Sequence, residues 1–147
     1  MKIRLALIIA AILMVVGIMS CSAAPSGVSV EVPYGDYAKI SARPAVISQE
    51  TQVPVNGILT ITLPSNASTG YKWQDSATVA DKTVLSQTDN QTVAPAAGSP
   101  PGAWGKQVWK FKALKAGTTT ISMEYGQPWS GGAKGDWKFN LKVTVSP

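Results

Sequence analysis

The stretch WKFNLKVTV at residues 137–145 decides the fold class, because its apolar and polar side chains alternate strictly. The apolar positions are Trp137, Phe139, Leu141, Val143 and Val145, and the polar positions are Lys138, Asn140, Lys142 and Thr144. Successive side chains of a β-strand point to opposite faces, so this pattern predicts a strand with one dry face and one wet face. Strands of this kind are typical of antiparallel sheets that cover a core on one side only.

The same period of two recurs upstream, between residues that favour turns. It covers residues 58–63, 106–113 and 118–125, and shorter segments lie near Val53 and at residues 70–74 and 83–86. Seven short strands without intervening helices predict an all-β, immunoglobulin-like antiparallel β-sandwich of about seven strands over residues 45–147. Three tryptophans at apolar strand positions are expected to fill its core: Trp73, Trp109 and Trp137.

The composition excludes several classes of function. The 147 residues contain no His and one Cys, which excludes Ser-His and Cys-His catalytic pairs, His-ligated metals and cysteine zinc clusters. Carboxylates are few and scattered, so we expect no enzyme activity, no metal and no cofactor. The net charge of +5 includes Lys2 and Arg4, and without them 11 basic and 8 acidic residues leave +3. That charge is too weak for a surface that tracks nucleic-acid phosphates.

The N-terminus has the features of a secretory signal. Lys2 and Arg4 precede an apolar run of 15 residues, Leu5–Met19, which is shorter than the roughly 20 residues that span a bilayer. The following Ser20-Cys21-Ser22 completes a stretch that resembles a prokaryotic lipobox, although Met19 is bulkier than usual. We expect a signal peptide over residues 1–20, a lipid on Cys21, and an extracytoplasmic, membrane-anchored lipoprotein. An uncleaved signal anchor and ordinary cleavage with unmodified Cys21 are the alternatives.

The segment between the cysteine and the first predicted strand shows no sustained period. Residues 21–44 are therefore expected to be the anchor and a spacer. Val28, Val30 and Val32 do alternate with polar residues, which leaves a short strand as an open alternative.

Three connections between predicted strands are longer than tight turns, and each contains Gly, Pro and an aromatic residue. Loop 1 is LPSNASTGY at residues 63–71, loop 2 runs over residues 94–105 and contains PAAGSPPGAWG, and loop 3 is YGQPWSGG at residues 125–132. In an immunoglobulin-type strand order, loops 1 and 3 leave the same end of the sandwich. Loop 3 carries Trp129 between Pro128 and glycines, and a large aromatic side chain on a loop is a functional candidate.

These loops resemble those of the chagasin family of cysteine-protease inhibitors, which carry Asn-Pro-Thr-Thr-Gly-Tyr/Phe, a Gly-rich stretch and Arg-Pro-Trp/Phe. The resemblance covers roughly residues 45–147 and implies a reversible, monomeric inhibitor whose three loops occlude the active-site cleft of papain-like cysteine proteases. The protease-binding residues it implies are Asn66, Ala67, Ser68, Thr69, Gly70, Tyr71, Gly102, Ala103, Trp104, Gly105, Gln127, Pro128 and Trp129.

The resemblance also assigns roles and shows departures. Ser68 takes the place of the family residue that approaches the catalytic Cys-His pair, and Trp129 would pack on the primed side of the cleft. Ala67 replaces the family Pro, Ser68 replaces Thr and Gln127 replaces Arg, so we expect an altered strength or target range.

Two other interpretations stay open. The chain is alternatively an anchored immunoglobulin-like binding module or adhesin that recognises a glycan or a protein, with Trp104 and Trp129 as stacking platforms. Trp104 itself is open between packing within its loop and contact with a protease.

Overall fold

The strands predicted from the alternation are present in the computed structural model, which describes residues 26–147. Its elements are β1 (Gly27–Glu31), α1 (Tyr34–Ala38), β2 (Ala45–Pro54), β3 (Ile58–Ser65), β4 (Lys72–Trp73), β5 (Thr78–Val79), β6 (Leu85–Val93), β7 (Gly105–Ala113), β8 (Gly117–Gly126) and β9 (Trp137–Ser146). One sheet has the order β1-β3-β7-β6 and the other β2-β9-β8-β4, with β5 also paired to β8. The predicted β-sandwich is confirmed, with nine strands in the described residues instead of about seven.

Two of the strand pairs depart from the antiparallel arrangement. β1 runs parallel to β3, and β2 runs parallel to β9, whereas the other pairs are antiparallel. The chain passes from β1 through α1 and then β2, which lies in the other sheet, before it enters β3, and parallel neighbours such as β1 and β3 require a crossover of this kind. Both parallel strands lie at sheet edges, so the antiparallel core predicted from the alternation is kept.

Residues 26–44, expected to be part of a spacer, instead belong to the folded domain. All five residues of β1 pair with β3, and α1 inserts the fully buried Tyr37 into the core. The Tyr37 ring lies 4.7 Å from that of Trp137 and 5.7 Å from that of Trp73, measured between centroids. Few side chains of this segment are buried, which explains why its sequence lacks a sustained period.

The expected signal peptide, residues 1–20, and Cys21 lie outside the described residues. Within residues 26–147, no helix has the length and apolar character needed to cross a membrane.

The core confirms the structural role predicted for three tryptophans. Trp73 and Trp109 are fully buried, and Trp137 is 8% exposed. The indole N–H of Trp73 donates to the carbonyl of Pro64 at 2.8 Å, and that of Trp109 donates to the carbonyl of Gln74 at 3.2 Å. A buried polar group without a partner is costly, so these bonds allow the indoles to lie inside the sandwich.

Strand direction brings all three loops to one end of the sandwich. β3 ends at Ser65, which pairs with Gly105 at the start of β7, so loops 1 and 2 are neighbours. β8 ends at Gly126, which pairs with Lys72 just after loop 1. Loops 1 and 3 therefore leave the same end, as expected, and loop 2 joins them there.

Candidate functional site

Loop 1 closes into a compact turn held by one side chain. Residues Ala67–Thr69 form a single 3₁₀ turn whose N-cap is Asn66. The Asn66 Oδ1 accepts hydrogen bonds from the amide N–H of Ser68 at 3.2 Å and from the Ser68 hydroxyl at 2.6 Å. The Thr69 hydroxyl donates to the Asn66 carbonyl at 2.7 Å. Ala67, Ser68 and Thr69 remain exposed at the tip, whereas Asn66 is buried and serves as its support.

Asn66 also ties loop 1 to the other two loops. Its Nδ2 donates to the carbonyl of Gly102 in loop 2 at 2.9 Å. Its backbone N–H donates to the hydroxyl of Tyr125, where loop 3 begins, at 3.1 Å. One residue thus bonds all three segments, through its side chain to loop 2 and its backbone to loop 3, which fixes their relative positions, so the three loops form one surface.

The indole of Trp129 lies directly over Gly70. A Cβ added to Gly70 would come within 2.5 Å of the Trp129 Cη2 atom, and Gly70 itself has a φ of +75°, in the left-handed region. Both conditions favour glycine, for space and for backbone conformation. Trp129 stays 48% exposed, so the far edge of its six-membered ring lies against Gly70 while about half of the side chain remains accessible.

Loop 3 is held from within by Gln127 and from its base by Lys134. The Gln127 Oε1 accepts from the amide N–H of Ala133 at 3.0 Å, so this side chain is turned into the loop. The Lys134 ammonium donates to the carbonyl of Trp129 at 2.9 Å and also to the carbonyl of Gln127. These bonds orient the exposed residues Pro128 and Trp129 without using their side chains.

Loop 2 is fastened at its end by Trp104. The Trp104 ring stacks on Trp137 with 5.3 Å between centroids and on Tyr34 with 4.4 Å. This side chain is half-buried and packs on rings outside its own loop, and its contact with a protease stays a prediction. Gly102 and Ala103 precede it at the edge of the loop, and Gly105 is buried as the first residue of β7.

The electrostatics of this end are mild. Burial raises the pKa of the Tyr125 hydroxyl, and desolvation together with the nearby Asp136 carboxylate raises that of Tyr71. Both phenols are therefore neutral at physiological pH. Among residues 26–147, no group of three or more His, Cys, Asp or Glu side chains is arranged to hold a metal ion. The exposed tips offer hydroxyls, backbone groups and an indole, which suit binding.

Three contributors to this surface were not predicted from the sequence. Tyr34 and Lys134 contact loop residues that they support, and Arg43 lines a groove beside Thr69 and Tyr71. Tyr34 and Arg43 lie in the segment expected to be a spacer. Lys134 follows the glycines of loop 3, and nothing in its sequence context indicated a role.

The comparisons with known proteins agree with this fold. A sequence model described as chagasin family peptidase inhibitor I42 matches residues 52–143. The cysteine protease inhibitor EhICP2 from Entamoeba histolytica has a similar structure, with 23% identity, a TM-score of 0.57, and coverage of 69% of this chain and 94% of its own. PbICP-C, solved in complex with falcipain-2, shares 20% identity at a TM-score of 0.57, covering 80% of this chain and 98% of its own.

The search of curated proteins returned no match. The two structural similarities support the β-sandwich, and the family match extends over more than half of the sequence. That family consists of inhibitors, which agrees with the expectation that this protein is not an enzyme. The chain belongs to the chagasin family of peptidase inhibitors.

Proposed function

We propose that the chain is a reversible inhibitor of papain-like cysteine proteases and that loops 1, 2 and 3 together cover the active-site cleft. The observation that carries this proposal is the joining of the loops into one surface, by Asn66 to Gly102 and Tyr125 and by Trp129 to Gly70. A similar inhibitor, PbICP-C, was solved in complex with falcipain-2, which supports a protease as the partner.

The shape of loop 1 explains how it would block a protease without being cut. Its tip is a 3₁₀ turn, closed by hydrogen bonds from Thr69 and Gly70 back to Asn66 and Ala67. A substrate has to present an extended peptide to the nucleophile, and this turn cannot extend without breaking those bonds. Because the loop is already ordered, little conformational entropy is lost on binding.

The departures from the family motifs are compatible with this mechanism. Ala67 lacks the rigidity of a proline, but the two bonds from Ser68 to the Asn66 Oδ1 hold the same turn. The Ser68 hydroxyl is engaged inside the loop, so its backbone and the neighbouring exposed groups would meet the protease. Gln127 is turned inward, so we expect the contact of loop 3 to depend on Trp129 instead of a charge.

Inhibition of papain tests the proposal directly. The full chain, purified in detergent, should slow hydrolysis of a fluorogenic peptide by papain competitively and without a covalent adduct. Trp129→Ala should weaken the inhibition constant by about thirty-fold, because a buried interface Trp contributes roughly 2 kcal/mol or more. Its melting temperature should change little, because the ring is half exposed.

Leu114→Ala is the matched control. Leu114 is 47% exposed and follows β7 at the opposite end of the sandwich, so its loss should leave inhibition unchanged. Equal inhibition by the Trp129 variant and the unaltered chain would exclude loop 3 from the site. Steady cleavage between Thr69 and Gly70 would contradict the mechanism.

We also propose that Cys21 carries a lipid and anchors the protein outside the cytoplasm as a monomer. Only five residues separate Cys21 from β1. Gly27 pairs with Ile58, at the start of β3, and loop 1 follows the far end of that strand. Eight residues of β3 span about 26 Å, so the three loops would face away from the membrane, toward proteases arriving from solution.

Fractionation tests the anchor. Cys21→Ser should move the protein from the membrane to a soluble or misprocessed pool, and the mass of a lipid should be lost. Unchanged fractionation and mass would remove the lipid from the proposal.

A further inference from the structure

Loop 2 depends on an aromatic stack that crosses into the N-terminal segment. Trp104 packs on two other rings: Trp137 of β9, at 5.3 Å and an interplanar angle of 24°, and Tyr34 of α1, at 4.4 Å and 24°. Tyr34 is 43% exposed, and its ring also lies 5.9 Å from that of Trp137, at an interplanar angle of 48°, so it contacts both tryptophans. Stacked aromatic pairs contribute beyond the area they bury, which makes this contact specific.

The rest of loop 2 has few other restraints. Residues 94–102 are exposed. Two turns are closed by backbone hydrogen bonds of 3.1 Å: the Ser99 N–H donates to the carbonyl of Ala96, and the Ala103 N–H donates to that of Pro100. The bond from Asn66 to Gly102 fixes one point, and Trp104 fixes the next. Without Trp104 in place, the loop would have to become ordered during binding, which weakens affinity.

A second contact joins the same two segments. Glu31, at the end of β1, forms an ion pair of 2.6 Å with Lys106, two residues after Trp104. Both residues are exposed, so the pair adds little stability, but it places the start of β7 beside the start of α1. The N-terminal segment precedes the residues matched by the family model, so this support comes from a part of the chain outside that match.

We propose that Tyr34 is a positioning residue: its ring packs on both Trp104 and Trp137, and this aromatic clamp holds loop 2 in the conformation that meets the protease. This inference rests on the proposed function for its effect on inhibition. The clamp itself is a property of the free protein. Residues 27–38 then help to position the end of the sandwich that carries loops 1, 2 and 3.

The test compares Tyr34→Ala with Tyr34→Phe in the full chain purified in detergent. Tyr34→Ala should speed hydrogen exchange of the loop 2 amides while leaving exchange in β7, β8 and β9 unchanged. It should also weaken inhibition of papain by about two- to ten-fold, the range that corresponds to one lost aromatic pair. Tyr34→Phe keeps the stack and should restore both measurements.

The outcomes separate this inference from the proposed function. Exchange is measured without protease, so a chain that fails to inhibit papain but shows faster exchange confined to loop 2 still supports the clamp. Unchanged loop 2 exchange in Tyr34→Ala would overturn it. Faster exchange spread evenly over the sandwich, with a lower melting temperature, would also overturn it, because that result indicates a general stabilising role.

Discussion

At the scale of single residues, Tyr37 combines complete burial with an unused polar group. Its side chain is 0% exposed and packs among tryptophan rings, and its hydroxyl lacks a hydrogen-bond partner among the described residues. Burial also raises the pKa of this phenol. The ring therefore stabilises the core while the hydroxyl opposes burial.

Tyr37→Phe should consequently stabilise the protein. The substitution keeps the ring and removes an unsatisfied group whose burial costs about 1–3 kcal/mol, so the free energy of unfolding should rise by about 1 kcal/mol. Tyr37→Ala, as the contrasting variant, should lower it by about 3–5 kcal/mol by leaving a cavity. Urea denaturation of the three proteins measures both effects. A destabilised Phe variant would show that the hydroxyl has a partner in solution.

At the scale of elements, substitutions at two glycines distinguish the effect of the contact between loops 1 and 3 from the effect of backbone strain. Gly70 has a φ of +75° and lies under the Trp129 ring, whereas Gly131 has a φ of +76° with nothing within 4 Å of an added Cβ. Alanine at either position should cost about 1 kcal/mol of strain. Only Gly70→Ala should also displace Trp129.

The two variants should therefore have similar melting temperatures but different inhibition. We expect Gly70→Ala to weaken papain inhibition at least ten-fold, because the indole must leave its position over loop 1. Gly131→Ala should stay within about three-fold of the unaltered chain, within the range of a small change in loop stability. If both variants inhibit equally, the packing of Trp129 on Gly70 does not matter for binding.

The elements also show which parts of the fold the sequence could predict. β7, β8 and β9 lie where the alternation placed them, because one face of each is buried along its whole length. β6 is an edge strand with mostly exposed residues and a register shift between Gln87 and Asp89, so its polar sequence predicted only a short strand at 83–86. β1 pairs at the opposite edge and is five residues long, too short for a clear period.

The sequence predicted which loops form the candidate site, but it did not predict the contacts that hold those loops in place. The motifs identified the three loops, and β pairing explains why they meet at one end. The stacking of Tyr34 on Trp104 joins residues 70 positions apart, and the bond from Asn66 to Gly102 joins residues 36 apart. Contacts of that separation depend on the tertiary arrangement, which no local pattern specifies.

At the scale of the whole molecule, titration behaviour follows from the absence of His in the sequence and from four groups with shifted pKa values among residues 26–147. Hydrogen bonds from the Thr83 hydroxyl and amide hold the pKa of the Asp81 carboxyl below its ordinary value of 3.8. Burial raises the pKa values of Tyr37 and Tyr125, and desolvation with the nearby Asp136 carboxylate raises that of Tyr71. None of these shifts moves a group into the range between pH 5 and 8.

Stability should therefore be constant near neutrality and fall at both extremes. The depressed pKa of Asp81 contributes stability above its ordinary pKa, and this is lost as the pH falls through the folded value. The raised tyrosine pKa values contribute stability below about pH 10, and this is lost as the pH rises through their folded values. Melting temperatures measured from pH 3 to 11 should be constant between about pH 5 and 8. In Asp81→Asn, the decrease in melting temperature at acidic pH should be smaller.

The inhibition constant between about pH 5 and 8 should then follow only the titration of the Cys-His pair of the protease. A drop in melting temperature between pH 5 and 8 would contradict this, since the chain has no His to produce it.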